Sequence, residues 1–299
     1  MKKATGLVLS GGGAKGAYEI GVYKALCEHG IDRYIGAFSG TSVGALNAVL
    51  LECMGKDAEQ VWQELKFTDL VNPDRSRMKR IAESLLGMNT VPSSSDTGNS
   101  VYSQVSDLVA EGLPFTQERI SQLIDRYIDF DKLQRDIYIM CLRVRRTFLA
   151  PTDRKAECFH LNRPYPWYDD EQKKQIILAS SAIPGFFCGA EGVRIKGHDG
   201  MYFDGGYSEN GDNTPIFCLY EKGFRKIIAV HLENYADISD QKLYSGAKIV
   251  NIVPSEDLGG MISGTLNLNS EKIAHDIELG YKDATDRMDE LVSLVNDNT

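Results

Sequence analysis

The sequence has few of the features that mark exported, membrane-spanning or nucleic-acid-binding proteins. Its six cysteines form no C-x-x-C pair and none clusters with histidine, which favours scattered thiols in a reducing compartment over a disulfide framework or a zinc site. The apolar run after the N-terminal lysines stops at Ser10, before it reaches the roughly 7–15 residues of a secretory signal. The longest mostly apolar stretch, residues 35–51, carries several polar residues and is short for a membrane span.

Basic residues are too few to outweigh the acidic ones, and the net charge is −9. This balance argues against a nucleic-acid partner and against simple electrostatic docking on anionic lipid. Together with the missing export signal, it leads us to expect a cytoplasmic protein.

The sequence does contain an alternation of short apolar runs and amphipathic segments, which is typical of βαβ units and a mainly parallel sheet. It predicts strands at about 6–9, 35–39, 137–144, 226–232 and 248–253, and helices at about 17–29, 43–54, 57–65, 116–129, 172–181 and 270–294. Residues 92–100 are rich in turn formers and predict a surface loop, with a mobile lid as the alternative. No linker or repeat divides the chain, so we predict one domain over residues 1–299.

A glycine-rich turn, Gly11 to Gly16, lies between the first predicted strand and the first helix. Successive glycines expose backbone N–H groups, and at a helix N-terminus these donors favour negative charge. The turn also fits the dinucleotide pattern G-x-G-x-x-G, so by itself it suits a phosphate cradle and an oxyanion hole equally well. A dinucleotide site needs an acid at the end of the second strand, whereas the nearest acid, Asp32, precedes that strand. A nucleotide-binding protein is therefore the weaker alternative.

The second predicted strand ends in G-T-S-V-G at residues 40–44, the G-x-S-x-G pattern of a nucleophile elbow. Its position between a strand and a helix is the one that this turn requires. Bulk at Gly40 or Gly44 would clash with the sheet or the helix, and glycine avoids the clash. The pattern predicts Ser42 as a nucleophile.

A nucleophilic serine needs a base, and two candidates follow it in the chain. His198 lies in a glycine-rich segment, and Asp204 follows an apolar pair and precedes Gly205 and Gly206. An acid there would be held at a strand end with little bulk beside it, although D-G sequences are also common in plain turns. The residues alone leave this choice open.

The three motifs G-G-G-x-K-G, G-x-S-x-G and D-G-G, in this order, resemble those of the patatin-like phospholipases. Three further segments fit the same family: A-S-S-A-I-P-G-F-F from Ala179, N-T-P from Asn213, and the pair Gly280-Tyr281. The resemblance extends over about residues 6–284, nearly the whole chain.

The resemblance implies a three-layer α/β/α fold with a mainly parallel central sheet. It also implies a serine acyl-hydrolase of the phospholipase A or lysophospholipase type with a Ser–Asp dyad: Ser42 as nucleophile and Asp204, in place of His198, as base. The oxyanion hole would be formed by Gly11, Gly12, Gly13 and Ala14, with motif support from Lys15, Gly16, Gly40, Gly44, Gly205 and Gly206.

No cofactor and no metal are expected. The expected partner is a lipid or acyl-ester substrate; the sequence allows peripheral membrane contact and gives no sign of nucleic-acid binding. A membrane-degrading effector regulated by a second messenger, and a catalytically silent scaffold, stay open as alternatives.

Overall fold

A computed structural model describes residues 4–65, 117–145, 153–163, 168–183, 192–207, 211–236 and 242–297. Within these ranges the strands are β1 (Thr5–Leu9), β2 (Ile35–Thr41), β3 (Asp136–Arg145), β4 (Asp153–His160), β5 (Met201–Asp204), β6 (Lys226–Val230) and β7 (Lys248–Ile252). The helices are α1 (Ala17–Glu28), α2 (Val43–Met54), α3 (Ala58–Glu64), α4 (Gln117–Tyr127), α5 (Asp170–Ser180), α6 (Ile216–Glu221), α7 (Ser270–Asp286) and α8 (Met288–Asn296). The predicted loop at 92–100 lies outside the described residues.

The strands form one mixed sheet in the order β4-β3-β2-β1-β6-β7, with β5 paired to β3. The pairs β1–β2, β1–β6, β2–β3 and β6–β7 are parallel, and β3 runs antiparallel to both β4 and β5. The central strands β1 and β6 are buried along their whole length, as parallel strands covered on both faces are. The predicted mainly parallel sheet is confirmed.

The sheet is covered on both faces. In β1, Leu7 and Leu9 point into a large core shared with α1, α2 and α7, whereas Val8 points into a smaller core on the opposite face. This alternation follows from the two-residue period of a strand. Leu219 from α6 lies in the smaller core. The predicted α/β/α layering therefore follows from the apolar residues on the two faces of the strands.

Helices α1 and α7 cross at very short range through glycines. A Cβ atom at Gly21 would overlap the carbonyl oxygen of Ile277, and a Cβ atom at Gly280 would overlap that of Tyr18. Only glycine permits this approach of two backbones. The crossing gives a physical reason for the glycine of the Gly280-Tyr281 pair noted in the sequence.

Two sequence-based expectations are wrong. The long helix predicted over 270–294 is broken at Arg287 into α7 and α8, and the turn lets Leu291 of α8 reach the core. The six cysteines are not all free thiols, because Cys158 on β4 and Cys218 on α6 form a disulfide with Cα atoms 6.0 Å apart. The thiols of three others, Cys27, Cys53 and Cys141, are free, and Cys188 lies outside the described residues.

Among the residues that the structure describes, no helix combines the length and the apolar character needed to cross a bilayer.

Candidate active site

Two strands meet end to end beside β3, and their meeting point defines the candidate active site. Strand β2 pairs with β3 up to the partners Thr41 and Met140. Strand β5 pairs with the same side of β3 from the opposite direction, and its last pair joins Asp204 to Cys141. Because Met140 and Cys141 are consecutive, the ends of β2 and β5 lie side by side. The sheet register thus brings Ser42, the residue after Thr41, to Asp204.

The backbone of Ser42 is strained. With φ 55° and ψ −123°, Ser42 is the single non-glycine residue with a positive φ within the described ranges. Such a conformation is costly for a residue with a side chain and persists where the surroundings enforce it. A Cβ atom at Gly40 would overlap the backbone of Gly44, and one at Gly44 would overlap the carbonyl oxygen of Leu9. These overlaps are the clashes that the sequence pattern predicted for larger residues.

The turn of Ser42 is held by the end of α5. The Ser42 N–H donates to Oγ of Ser180 at 2.9 Å, and that hydroxyl in turn donates to the carbonyl oxygen of Met140 at 2.7 Å. Oγ of Ser181 lies 3.3 Å from both the Ser42 and the Ile177 carbonyl oxygens, and its proton is shared between them. The sequence marked these serines only as part of a family segment and gave them no role, because nothing local indicates which residue they contact.

Asp204 is a buried carboxylate next to Ser42, with 4% of its surface exposed. Burial raises the pKa of Asp204 from 3.8 to about 6, while the Ser42 hydroxyl and the Gly206 N–H act in the opposite direction. The Gly206 N–H donates to Oδ1 at 2.8 Å. Oδ2 of Asp204 accepts no hydrogen bond within the usual limits of distance and angle from the described residues.

The glycine-rich turn lies directly against Ser42. A Cβ atom at Gly11 would come within 3.1 Å of Ser42 Cβ, and Gly13, with φ +60°, would overlap the Thr265 carbonyl oxygen if it had a side chain. The turn continues through a 3₁₀ segment, Gly13–Gly16, into the N-terminus of α1. The turn is thus adjacent to Ser42, and its role as an oxyanion hole stays a prediction.

The four predicted oxyanion donors are not equivalent. The Gly11 N–H already donates to the Asn213 carbonyl oxygen at 3.0 Å, and the Asn213 side-chain amide returns a bond of 3.1 Å to the Gly11 carbonyl oxygen. The prediction that Gly11 supplies an oxyanion donor is at odds with this geometry. The N–H groups of Gly12, Gly13 and Ala14 donate to no acceptor within the described part of the chain, and their role stays a prediction.

The side chain of Lys15 is held within the protein by an ion pair. Its ammonium group forms an ion pair of 2.7 Å with Glu233, and its side chain is only 4% exposed. Because Glu233 follows β6, the pair fastens the glycine-rich turn to the neighbouring strand. Because the buried ammonium group of Lys15 is paired in this way, we assign Lys15 a structural role.

His198 is packed among aromatic rings. The ring centroids of Phe159, Tyr168 and Tyr202 lie 5.1, 5.8 and 6.2 Å from its imidazole. Burial lowers the pKa of His198. No hydrogen bond joins its side chain to Ser42 among the described contacts, which favours Asp204 over His198 as the base.

Across the ranges that the structure describes, no three His, Cys, Asp or Glu side chains are grouped so that they would hold a metal ion.

The family model for patatin-like phospholipase matches residues 7–217, more than two thirds of the chain. The chain belongs to this family. The family model covers the glycine-rich turn, the elbow at Ser42 and the strand that ends at Asp204. The predicted family membership and the predicted patatin-like fold are both confirmed.

The curated relatives of this patatin-like chain are much longer proteins. It is 26% identical over 237 residues to lysophospholipase NTE1 of Eremothecium gossypii, a match that covers 79% of this chain and 12% of that protein. It is 48% identical over 59 residues to lysophospholipase nte1 of Aspergillus terreus, covering 20% of this chain and 4% of that protein. The chain thus spans about an eighth of the first relative, and a single domain over 1–299 stays a prediction.

The chain is also similar to solved structures of other proteins. Human GIVD cytosolic phospholipase A2 has a TM-score of 0.50 at 11% identity, with 98% of this chain and 60% of that chain covered. VipD from Legionella pneumophila has a TM-score of 0.48 at 16% identity, with 98% of this chain and 67% of that chain covered. At 11% identity, the likeness to the human phospholipase concerns the fold alone.

Proposed function

We propose that this patatin-like chain is a lipolytic serine hydrolase that cleaves fatty-acyl esters of lipids, as a phospholipase A or a lysophospholipase does. The observation that carries the proposal is the register of β2 and β5 on β3, which sets Ser42 beside the buried carboxylate of Asp204. Family membership supports a lipid ester as the substrate class, and the names of the curated relatives favour lysophospholipids.

The proposed reaction uses this geometry. Ser42 Oγ attacks the ester carbonyl carbon, and its proton passes to Asp204, which burial has made a stronger base than an exposed carboxylate. The N–H groups of Gly12, Gly13 and Ala14 stabilise the oxyanion, and loss of one such donor costs about 10²–10³ in rate.

Departure of the alcohol completes acylation, and deacylation then uses the same groups. Asp204 returns the proton to the leaving alcohol or lysolipid, and the acyl group stays on Ser42. Asp204 then takes a proton from the incoming water, whose oxygen attacks the acyl-enzyme. As the bond between the acyl group and Ser42 Oγ breaks and the fatty acid leaves, Asp204 returns this proton to Oγ. Each step moves one proton between Oδ2 and the reacting oxygen, and no further protein group is needed.

We propose peripheral contact with lipid and no nucleic-acid partner. Two cations of β3 have acidic partners: Nη1 of Arg143 lies 3.3 Å from Oε2 of Glu157, and Nη2 of Arg145 lies 3.1 Å from Oδ2 of Asp199. With a net charge of −9, attraction to anionic surfaces is weak, so contact through apolar groups is the expected mode.

We also propose a cytoplasmic location, on the sequence grounds given above. The Cys158–Cys218 disulfide counts against it, because disulfides persist mainly in oxidising compartments. Fractionation of cells that express the tagged chain, with thiols trapped by alkylation at lysis, tests the proposal. Recovery from the soluble cytoplasm with both cysteines alkylated supports it, and recovery outside the cytoplasm with the disulfide intact contradicts it.

The proposed activity is tested by fatty-acid release measured with mass spectrometry. Phospholipids, lysophospholipids, triglyceride and a short soluble ester are each incubated with the purified protein. The same substrates are incubated with its Ser42→Ala, Asp204→Asn and His198→Ala variants. We expect release that disappears with Ser42→Ala and Asp204→Asn and survives His198→Ala. Release that appears only after a cyclic nucleotide is added indicates the second-messenger-regulated effector instead.

No release under any condition, together with no reaction of Ser42 with a fluorophosphonate, contradicts the proposal. In that case a thermal shift with NAD or FAD would favour the nucleotide-binding alternative. The crowding around the glycine-rich turn counts against that alternative, because Asn213 and Thr265 occupy the space beside Gly11 and Gly13.

A further inference from the structure

Three consecutive residues at the C-terminal end of α5 contact both proposed catalytic residues. Ser180 Oγ accepts the Ser42 N–H at 2.9 Å, and Ser181 Oγ lies 3.3 Å from the Ser42 carbonyl oxygen. The carbonyl oxygen of Ala182 accepts the N–H of Asp204 at 3.0 Å. One short segment thus holds the backbone of the nucleophile and that of its base.

Ser180 contacts both the elbow and strand β3. It is fully buried, and its hydroxyl donates to the Met140 carbonyl oxygen at 2.7 Å while it accepts from Ser42. Gly205 packs against the same carbonyl oxygen, where an added Cβ would approach to 2.5 Å. The Ser180 hydroxyl therefore joins the elbow, β3 and the end of α5.

The Ser42 N–H has no partner in regular secondary structure. It lies after the last residue of β2 and before the first turn of α2, in a backbone conformation that residues with side chains rarely adopt. Without Ser180 this buried donor would be left unpaired, which is costly. The bond also fixes the plane of the Thr41–Ser42 peptide, and with it the direction in which the Ser42 side chain leaves the backbone.

We propose that Ser180 is a positioning residue that sets the geometry of the Ser42–Asp204 pair, with the Ala182 carbonyl oxygen fixing the other member of the pair. The inference rests on the proposed function, since it concerns the same nucleophile. Ser180 contacts no substrate atom in this proposal; it acts through the Ser42 backbone.

The test compares Ser180→Ala with Ser39→Ala. Ser39 is an equally buried serine whose hydroxyl donates to the Pro215 carbonyl oxygen at 2.9 Å, without contact to Ser42. We expect Ser180→Ala to lower both kcat and the rate of Ser42 labelling by a small fluorophosphonate by about 10- to 100-fold, with KM nearly unchanged. Ser39→Ala is expected to lower Tm to a similar extent and to leave labelling and kcat close to wild type.

A result in which both variants lose Tm equally and label at the wild-type rate overturns the positioning role. If Ser180→Ala does not fold, Ser180→Cys replaces it, because a thiol keeps the shape and is only a weak acceptor. Slower labelling in folded Ser180→Cys supports the role, and wild-type labelling in it overturns the role. Wild-type protein that shows neither labelling nor release would contradict the proposed function itself, and the inference would be wrong with it.

Discussion

Replacing Asp204 by Asn is expected to abolish hydrolysis and, at the same time, to stabilise the folded protein at neutral pH. The reason is the burial that makes Asp204 a base: it raises the pKa from 3.8 to about 6, so the fold is penalised when this carboxyl loses its proton. An amide at this position is neutral at every pH. The gain in stability is thus tied to the feature that supports catalysis.

The magnitude and the sign follow from the two pKa values. Below pH 3.8 the carboxyl is protonated in the folded and the unfolded chain, and its contribution to stability is fully present. As the pH rises through about 6 this contribution is lost, because the unfolded chain releases the proton more readily. The shift corresponds to about 3 kcal/mol, which is the upper limit of the gain that Asp204→Asn should show above pH 6.

The assay is urea unfolding of wild type and Asp204→Asn at several values between about pH 4 and pH 8. We expect a difference in unfolding free energy that is small at the acid end and grows with pH. Asp212→Asn is the matched control, since burial also raises the pKa of Asp212 to about 6. It should show the same trend and retain hydrolysis. A difference that does not change with pH, or a loss of stability at the alkaline end, would refute the reasoning.

Four further results are expected. The pH profile of kcat/KM should have an acid limb with its midpoint near 6, because the base must be deprotonated; a midpoint near pH 4 would contradict the burial effect. Gly44→Ala should abolish folding or activity, whereas Gly260→Ala, which has open space around it, should do neither, as thermal melts and labelling will show. Glu19→Gln should stabilise the protein progressively from about pH 4.5 to about 8, because burial raises the pKa of Glu19 from 4.5 to about 8; equal urea midpoints at all pH values would contradict it. Cys158→Ser should lower the unfolding free energy under non-reducing conditions by about 2–4 kcal/mol, and an unchanged value would show that the disulfide adds no stability.

Local chemistry allowed the elements around the nucleophile to be predicted. The apolar runs gave the strands from β1 to β3 within a residue or two, and the glycines of the G-x-S-x-G pattern predicted a turn too tight for larger residues. The reasons are short-range: burial decides where an apolar strand forms, and steric overlap decides where only glycine fits. Asp204 was expected at a strand end, and β5 ends there.

Contacts between residues far apart in the chain could not be predicted from a single sequence. The polar strand β4 was not predicted, because its exposed N-terminal half lacks an apolar alternation. The bond of Ser180 to Ser42, the Gly11 N–H taken by Asn213, and the Cys158–Cys218 disulfide each join residues far apart in the chain. Such pairings depend on sheet register and packing, which residue spacing does not encode.

The contact between the ends of β2 and β5 determines at what stage of its synthesis the protein can become reactive. During synthesis Ser42 is made well before Ser180, whose hydroxyl holds its backbone, and before Asp204, which reaches the elbow only after β3 has joined the sheet. A growing chain therefore carries a serine that has no base to activate it. The proposed hydrolase would therefore become active only after β5 has paired with β3.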